Sequence, residues 1–311
     1  MAFDIGLAVL VLGVAIWTTT ARDTFAAVIG FVAYGLLLAL VWVRLAAPDV
    51  ALTEAAIGSG ITGGLLLGAS ARLRATEAPA TGETPGMTLR VATAALCALV
   101  AAGLAAIVVL LPEPAPTLAP QVAANMAATG LGNPVTAVLM AYRAIDTLLE
   151  TVVLLLALLG TWSLAPDRIW GGFPGVRHDA DPHGLLTFIA QFLAPVGILV
   201  GIHIFWVGSV APGGEFQAAT ILAAMWILAT MAGLVDAPPV SRRRLRILLV
   251  AGPAVFFAIG LAGLAMAGAF LAYPAPYAKL IILMIEIPVT LSIAATLALL
   301  VAGPPQRAPP R

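Results

Sequence analysis

Charge is what this sequence most lacks. Fifteen Lys and Arg and fifteen Asp and Glu are spread over 311 residues, so charged residues make up 10% of the chain and the formal net charge is zero. A water-soluble domain carries about 25% charged residues; there are too few here to cover a surface facing water. With no net charge and no basic tail, no nucleic-acid partner is expected. Cysteine is nearly absent too. The single Cys97 lies in an apolar run, which excludes a disulfide within the chain and argues against a Cys-rich metal site. Period-two alternation in blocks of about ten residues is missing, which argues against a transmembrane β-barrel. No phosphate-cradling glycine loop, GxSxG, HExxH or CxxC cluster occurs, so no cofactor, no metal and no enzymatic machinery are expected. The N-terminus carries Asp4 and no positive n-region, so a cleaved signal peptide is not expected either.

What is present is hydrophobic: 61% of the residues, with a mean hydropathy of +1.06. A helix needs about 20 apolar residues to cross the hydrocarbon. Nine stretches qualify, and they predict an all-α polytopic membrane protein: Phe3–Thr20, Phe25–Leu45, Pro48–Ala71, Leu89–Leu111, Pro134–Leu164, Leu185–Gly208, Glu215–Val235, Leu245–Ala272 and Tyr277–Val301. Twelve basic residues then fall on one side of an odd-numbered bundle: Arg22, Arg72, Arg74, Arg90, Arg168, Arg177, Arg242, Arg243, Arg244, Arg246, Arg307 and Arg311. The positive-inside rule makes that side cytoplasmic, with the N-terminus outside and the C-terminus inside.

Arg44, Arg143 and Lys279 break this pattern, and Asp49, Glu54, Asp146, Glu150 and Glu286 lie in or beside apolar runs. A charge at the bilayer centre costs at least ~2.5–3.5 kcal/mol, so such groups pair, face protein or line a water-filled path. In one continuous helix Arg143, Asp146 and Glu150 would be spaced i, i+3 and i+7. They would share a face rising about 10 Å along the axis. Lys279, Glu286 and Thr290 share a face of the last span by the same spacing. In the third span Gly60, Gly64 and Gly68 recur every fourth residue, a stripe that predicts close approach of a neighbouring helix.

Each candidate has a plainer reading beside the functional one. Arg143 and Asp146 make sense as a structural ion pair. Asp49 suits a helix cap. Arg44 and Lys279 are placed to snorkel to the interface. Glu54 and Glu286 fit hydrogen-bonded glue between helices, and His203 fits a packed residue near the outer interface. The stretch "RHDADPH" offers His178, Asp179, Asp181 and His183, but their spacing matches no standard metal site, and a solvated turn accounts for them.

Three stretches carry a family resemblance. "RLAAPDVALTEAAIGSGITGGLLLGA" (Arg44–Ala69) resembles the "GAPDVALTEAAVGAG" signature of the small D-type component of membrane-bound hydrogenases, a module that also occurs in the C-terminal region of the large A-type component of Mrp antiporters. "NPVTAVLMAYRAIDTLLETVVLLLALLG" (Asn133–Gly160) is similar to the E-type module with its "FRxxDTLxE" pattern; Tyr142 replaces the Phe, while Arg143, Asp146, Thr147 and Glu150 fall on it. "LAPVGILVGIHIFWVGSVAPGGEFQAATILAA" (Leu193–Ala224) resembles the B-type component of Mrp antiporters with its "PGGGFQGG" loop. Pro212, Gly213, Gly214, Phe216 and Gln217 are kept, whereas Glu215, Ala218 and Ala219 depart from the usual glycines.

The resemblance implies three modules in series: D-like with three helices (1–75), E-like with two (76–165) and B-like with four (166–311). It implies a membrane-arm subunit of an Mrp-type cation (Na+)/proton antiporter in the inner membrane of a prokaryote. The expected partners are large antiporter-like subunits, the lipid bilayer, H+ and Na+. Glu150, Asp146, Arg143, Glu54, Glu286, Lys279, Asp49 and His203 would belong to the ion path, and the Pro212–Glu215 loop would make a close backbone contact. Two alternatives stay open. One is the membrane subunit of a redox-driven, hydrogenase-type or complex I-like pump, whose catalysis resides in other subunits. The other is a passive scaffold.

Overall fold

The computed structural model describes residues 1–74 and 86–308. Residues 75–85, with the boundary expected between the first two modules, and Arg311 lie outside the described residues. The chain is helical almost throughout. In order it forms α1 (Ala2–Thr20), α2 (Thr24–Arg44), α3 (Pro48–Thr53), a π-helix (Glu54–Ile61) that runs on into α4 (Thr62–Arg74), and α5 (Met87–Leu110). Next come a short α6 (Ala119–Thr129), α7 (Pro134–Ala137), a second π-helical turn (Val138–Tyr142) and α8 (Ala144–Ser163). After these come α9 (Leu185–Val207), α10 (Glu215–Met231), α11 (Arg243–Ala267) and α12 (Ala278–Ala302).

Among the described residues, eight helices are long and apolar enough to cross a membrane, and Glu215–Met231 is a ninth, shorter apolar helix. At 1.5 Å per residue α10 is about 26 Å long, short of the ~30 Å hydrocarbon core. It starts at Glu215 as expected and ends at Met231, four residues short of the expected end; the buried Glu215 directly follows the loop Gly208–Gly214. Irregular backbone at that depth is tolerated where protein, not lipid, surrounds it. Here the loop folds back on α9, with the Gly214 N–H donating to the Ile204 carbonyl at 3.1 Å.

The fifth expected span, Pro134–Leu164, is not one helix. It breaks at Arg143, whose φ of −131° and ψ of 34° are not helical. The carbonyls freed by the break are recaptured. The Thr147 hydroxyl donates to the Leu139 carbonyl at 2.7 Å, and the Arg143 N–H reaches back five residues to Val138 at 2.8 Å. A proline does the same to α11. Pro253 lacks the N–H that would bond the Leu249 carbonyl, and Ser292 of α12 donates its hydroxyl to that carbonyl at 2.5 Å.

The core lies between α8, α10, α11 and α12, around Met140, Leu148, Ala219, Ala223, Phe256, Ile282, Ile285 and Val289. α12 sits at its centre, with Val289, Ile293 and Leu299 almost fully enclosed. α1 packs on α2, and no residue of α5 is buried. At one end of the bundle β1 (Phe173–Pro174) pairs antiparallel with β2 (Pro305–Arg307), and Arg307 binds Asp236. Arg72 lies against Gly303 at that same end. At the other end Arg44 pairs with Asp4 at 2.9 Å, an ion pair where snorkelling alone was the plainer expectation. The basic residues Arg72 and Arg307 thus share one end; which end faces the cytoplasm stays an expectation of the positive-inside rule.

Candidate functional site

At the end opposite the basic residues, three loops meet on one carboxylate. Pro48 opens α3, since a missing N–H costs nothing in a first helical turn, and it places Asp49 in the second position, 7% exposed. Asp49 does not simply cap its own helix. Its Oδ1 accepts the Gly213 N–H at 3.0 Å and the Asn133 side-chain amide at 3.3 Å. Asn133 in turn donates to the Ala211 carbonyl at 3.0 Å and caps α7 through the Val135 N–H. Thr136 donates to Gly208 at 2.7 Å, and Gln217 to the Thr53 hydroxyl at 3.0 Å.

The "APD", "NP" and "PGG" motifs, far apart in the chain, are therefore one hydrogen-bonded knot. Gly213 sits at φ +148°, and a Cβ there would lie 2.5 Å from the Ile204 carbonyl oxygen. The close backbone contact of this loop is made even though Glu215, Ala218 and Ala219 replace glycines; both alanines are fully buried.

Four acids run from the surface of α8 into the bundle: Asp146 and Glu150 are exposed, Glu215 and Glu286 are buried. Glu215, the first residue of α10, is 3% exposed, and Glu286, in the middle of α12, is 2% exposed. Their carboxyl groups lie beside each other, and Glu215 Oε1 is buried without a hydrogen-bond partner among the described residues. Glu150 on α8 lies within electrostatic reach of Glu215, and Asp146 within reach of Glu150. Asp146 is ion-paired to Arg143 at 2.5 Å. The line starts at an open face, because the side chains of Arg143 and Asp146 are 72% and 48% exposed. Arg143 precedes α8 instead of lying on it, so the shared face of a single helix holds only for Asp146 and Glu150.

The other expected residues are placed apart from this line. Glu54 is half-buried at the start of the π-helix; a Cβ on Gly58 would collide with its carboxylate. Lys279 and His203 are exposed, on α12 and α9. Thr290 donates to the Glu286 carbonyl at 2.8 Å, so its hydroxyl closes on its own helix and not on the carboxylate. The expected close packing along Gly60, Gly64 and Gly68 is not made among the described residues. Nothing lies within 4 Å of a Cβ built on Gly64 or Gly68, and Gly60 meets only the Ala55 carbonyl of its own helix. The tight approach of α2 falls one position aside, where Gly63 receives Val32 and Gly35 receives Ser59. Among the described residues no group of three or more His, Cys, Asp or Glu is arranged to hold a metal ion.

Comparison with known proteins gives this geometry a context. Residues 9–75 match the MbhD family, the D-type component of MBH, and residues 185–303 match a domain related to the MnhB subunit of the Na+/H+ antiporter. Among curated proteins none matches in sequence. Of solved structures, the Mrp complex from Dietzia sp. DQ12-45-1b contains a chain of similar fold, with a TM-score of 0.75 and 24% identity over 99% of this chain. This chain spans 35% of that one. The archaeal membrane-bound sulfane sulfur reductase, a respiratory membrane complex, contains a second, with a TM-score of 0.53 and 23% identity, covering 69% of this chain and 99% of the other. Residues 9–75 and 185–303 thus carry an MbhD-like and an MnhB-like stretch in tandem within one polytopic, helical membrane chain.

Proposed function

We propose that the chain is a membrane-arm subunit of a multi-subunit cation/proton antiporter of the Mrp type. In this reading it packs against large antiporter-like subunits and lends them part of an ion path. The observation that carries the proposal is the acid line. Asp146 and Glu150 begin at a charged face that a lipid tail cannot cover, and Glu215 and Glu286 continue it into the core. A face of this kind is stable only against another protein surface or a water-filled path. Glu150 stands at the junction between that face and the interior, and serves as the exchangeable carboxylate, with the Arg143–Asp146 pair orienting the entry to it.

The test is cation-dependent proton movement in membrane vesicles, normalised to the amount of assembled complex. Glu150→Gln keeps the size and cannot titrate; it is expected to assemble and to lower transport by more than about tenfold, in line with the loss of a proton-transferring side chain. Full transport in that variant would leave the face as structural glue, the scaffold reading. The second reading, a redox-driven complex, is favoured by the match to the sulfane sulfur reductase and by the MbhD module. The subunits that co-purify decide between the two, because iron–sulfur or nickel-site partners are required by a redox complex and foreign to an antiporter.

A further inference from the structure

The open side of the glycine stripe leads to a site outside the acid line. At the basic end of the bundle a cavity of about 360 Å³ lies between α4, α10 and α12, within the ~300–1,000 Å³ class of small-ligand sites. Gly68 and Arg72 come from the MbhD module, and Trp226, Ile227, Leu299 and Val301 from the MnhB module, so the cavity exists only where the two meet. Its inner walls are apolar. Among the described residues no atom lies within 4 Å of a Cβ built on Gly68, where a packed helix was expected.

Its mouth is polar and carries an uncompensated positive charge. The acid in the lining is Asp236, and Arg307 already holds both of its oxygens, at 2.7 and 2.6 Å. That guanidinium keeps the Asp236 carboxyl below the ordinary aspartate range, so it stays an anion spoken for by Arg307. Arg72 has no ion-pair partner among the described residues. Its guanidinium instead lies against the backbone of Gly303, where a Cβ would come within 3.0 Å of Nη2; Gly303 adopts φ +84°, a conformation that also favours glycine. The arginine is thereby held at the mouth, and no carboxylate among the described residues takes up its donors.

We propose that this cavity binds one anionic phospholipid, with its phosphodiester on Arg72 and one acyl chain in the slot beside Gly68, Trp226 and Leu299. The chemistry fits at both ends. A guanidinium offers paired donors to phosphate oxygens, and basic pockets between helices on the cytoplasmic side bind anionic headgroups. An apolar slot that no side chain among the described residues fills takes a hydrocarbon chain. Free phosphate would satisfy Arg72 alone and leave the slot empty.

The experiment uses the full chain, purified in detergent with its native partners, stripped of lipid and then titrated with phosphatidylglycerol, phosphatidylcholine or inorganic phosphate. Bound lipid is counted by native mass spectrometry. The wild type is expected to retain one phosphatidylglycerol in preference to phosphatidylcholine. Arg72→Gln should weaken that preference about fivefold, the effect of one basic residue at a membrane surface. Gly68→Leu, which enters open space and so does not threaten the fold, should reduce retention of the lipid while Arg72 is intact. Arg243→Gln, a basic residue of the N-terminal end of α11 that does not line the cavity, should change neither. Equal retention of the two lipids by the wild type would overturn the proposal. So would an unchanged preference in Arg72→Gln, or displacement of the lipid by millimolar phosphate.

Discussion

Asp49 and Glu150 are both carboxylates in or beside apolar helices, and their surroundings differ in kind. Asp49 is buried among donors supplied by this chain: the Gly213 N–H and the Asn133 amide. Glu150 has no such donors among the described residues. It has an acid on either side, Asp146 towards the open face and Glu215 towards the core. A buried charge whose hydrogen bonds are all met locally holds structure together, because removing it orphans the groups that bond it. Glu150 is exposed on an apolar helix, and a charge left there without local partners persists for something outside the chain or something that moves. The fold therefore separates a structural acid from a working one by what each is given to bind.

The sharpest way to break the comparison is at Asp49. Asp49→Ala would strand the Gly213 N–H and the Asn133 amide, at about 1–3 kcal/mol for each buried donor. We expect loss of most folded protein by size-exclusion profile in detergent, with Asp49→Asn recovering part of it because Oδ1 still accepts. Glu150→Gln should leave the same profile unchanged; if it unfolds the protein as Asp49→Ala does, the two acids are alike and the distinction fails.

Next in size is a pair of glycines. Gly35→Leu would drive a side chain into Ser59 and Glu54, an overpacking that costs about 1–3 kcal/mol. Gly64→Leu enters open space within this chain and should leave its thermal midpoint nearly unchanged, while reducing recovery of partner subunits if one of them lies on that stripe.

Glu215→Gln is expected to be milder for folding, since the amide keeps the size of the buried group and carries no charge, and to reduce transport in the vesicle assay less than Glu150→Gln. An equal or larger loss would move the working acid from α8 to α10.

The smallest effect belongs to the exposed end of the bundle. Asp236 is held below its usual range by Arg307. Its stabilising contribution is therefore fully present above the unfolded aspartate value near 3.8 and is lost as pH falls through the lower folded value. The Asp236 side chain is 43% exposed, and such pairs contribute about 0–1 kcal/mol. Arg307→Gln should lower the thermal midpoint by a few degrees at most at pH 6, and the gap to the wild type should narrow below pH 4.

Hydropathy alone carried the number and order of the spans, because the cost of exposing polar groups to lipid acts on every residue of a crossing helix. Phe3–Thr20 against Ala2–Thr20, and Leu185–Gly208 against Leu185–Val207, differ by a residue. The break at Arg143 was not legible. A periodicity argument assumes one continuous helix, and neither glycine nor proline marks the break; the contact that sustains it, Thr147 to Leu139, is specific to the folded backbone. α6 escaped because an 11-residue amphipathic helix is too short to register as a span.

The site was half legible. Glu150, Asp146 and Glu286 stood out as charges in apolar runs. Glu215 stood out only as a departure from a glycine-rich loop, and its contact with Glu286 required two helices 71 residues apart to pack. The glycine stripe misled because spacing tells that a helix can be approached closely, and not from which chain the neighbour comes.

The Asp49 knot also has a bearing on how the protein is made. Asp49 and Gly213 are 164 residues apart, so at 5–20 residues per second the aspartate waits roughly 8–33 s after its own synthesis for its principal donor. During that interval α5, α8 and α9 must all enter the membrane. α3 is thus threaded before its principal donor can secure the Asp49 end, and the wait is tolerable because Asp49 sits in the first turn, where headgroup water can solvate it. Had the same carboxylate been placed two turns deeper, the nascent helix would have carried an unsolvated charge through the whole insertion of the middle of the protein.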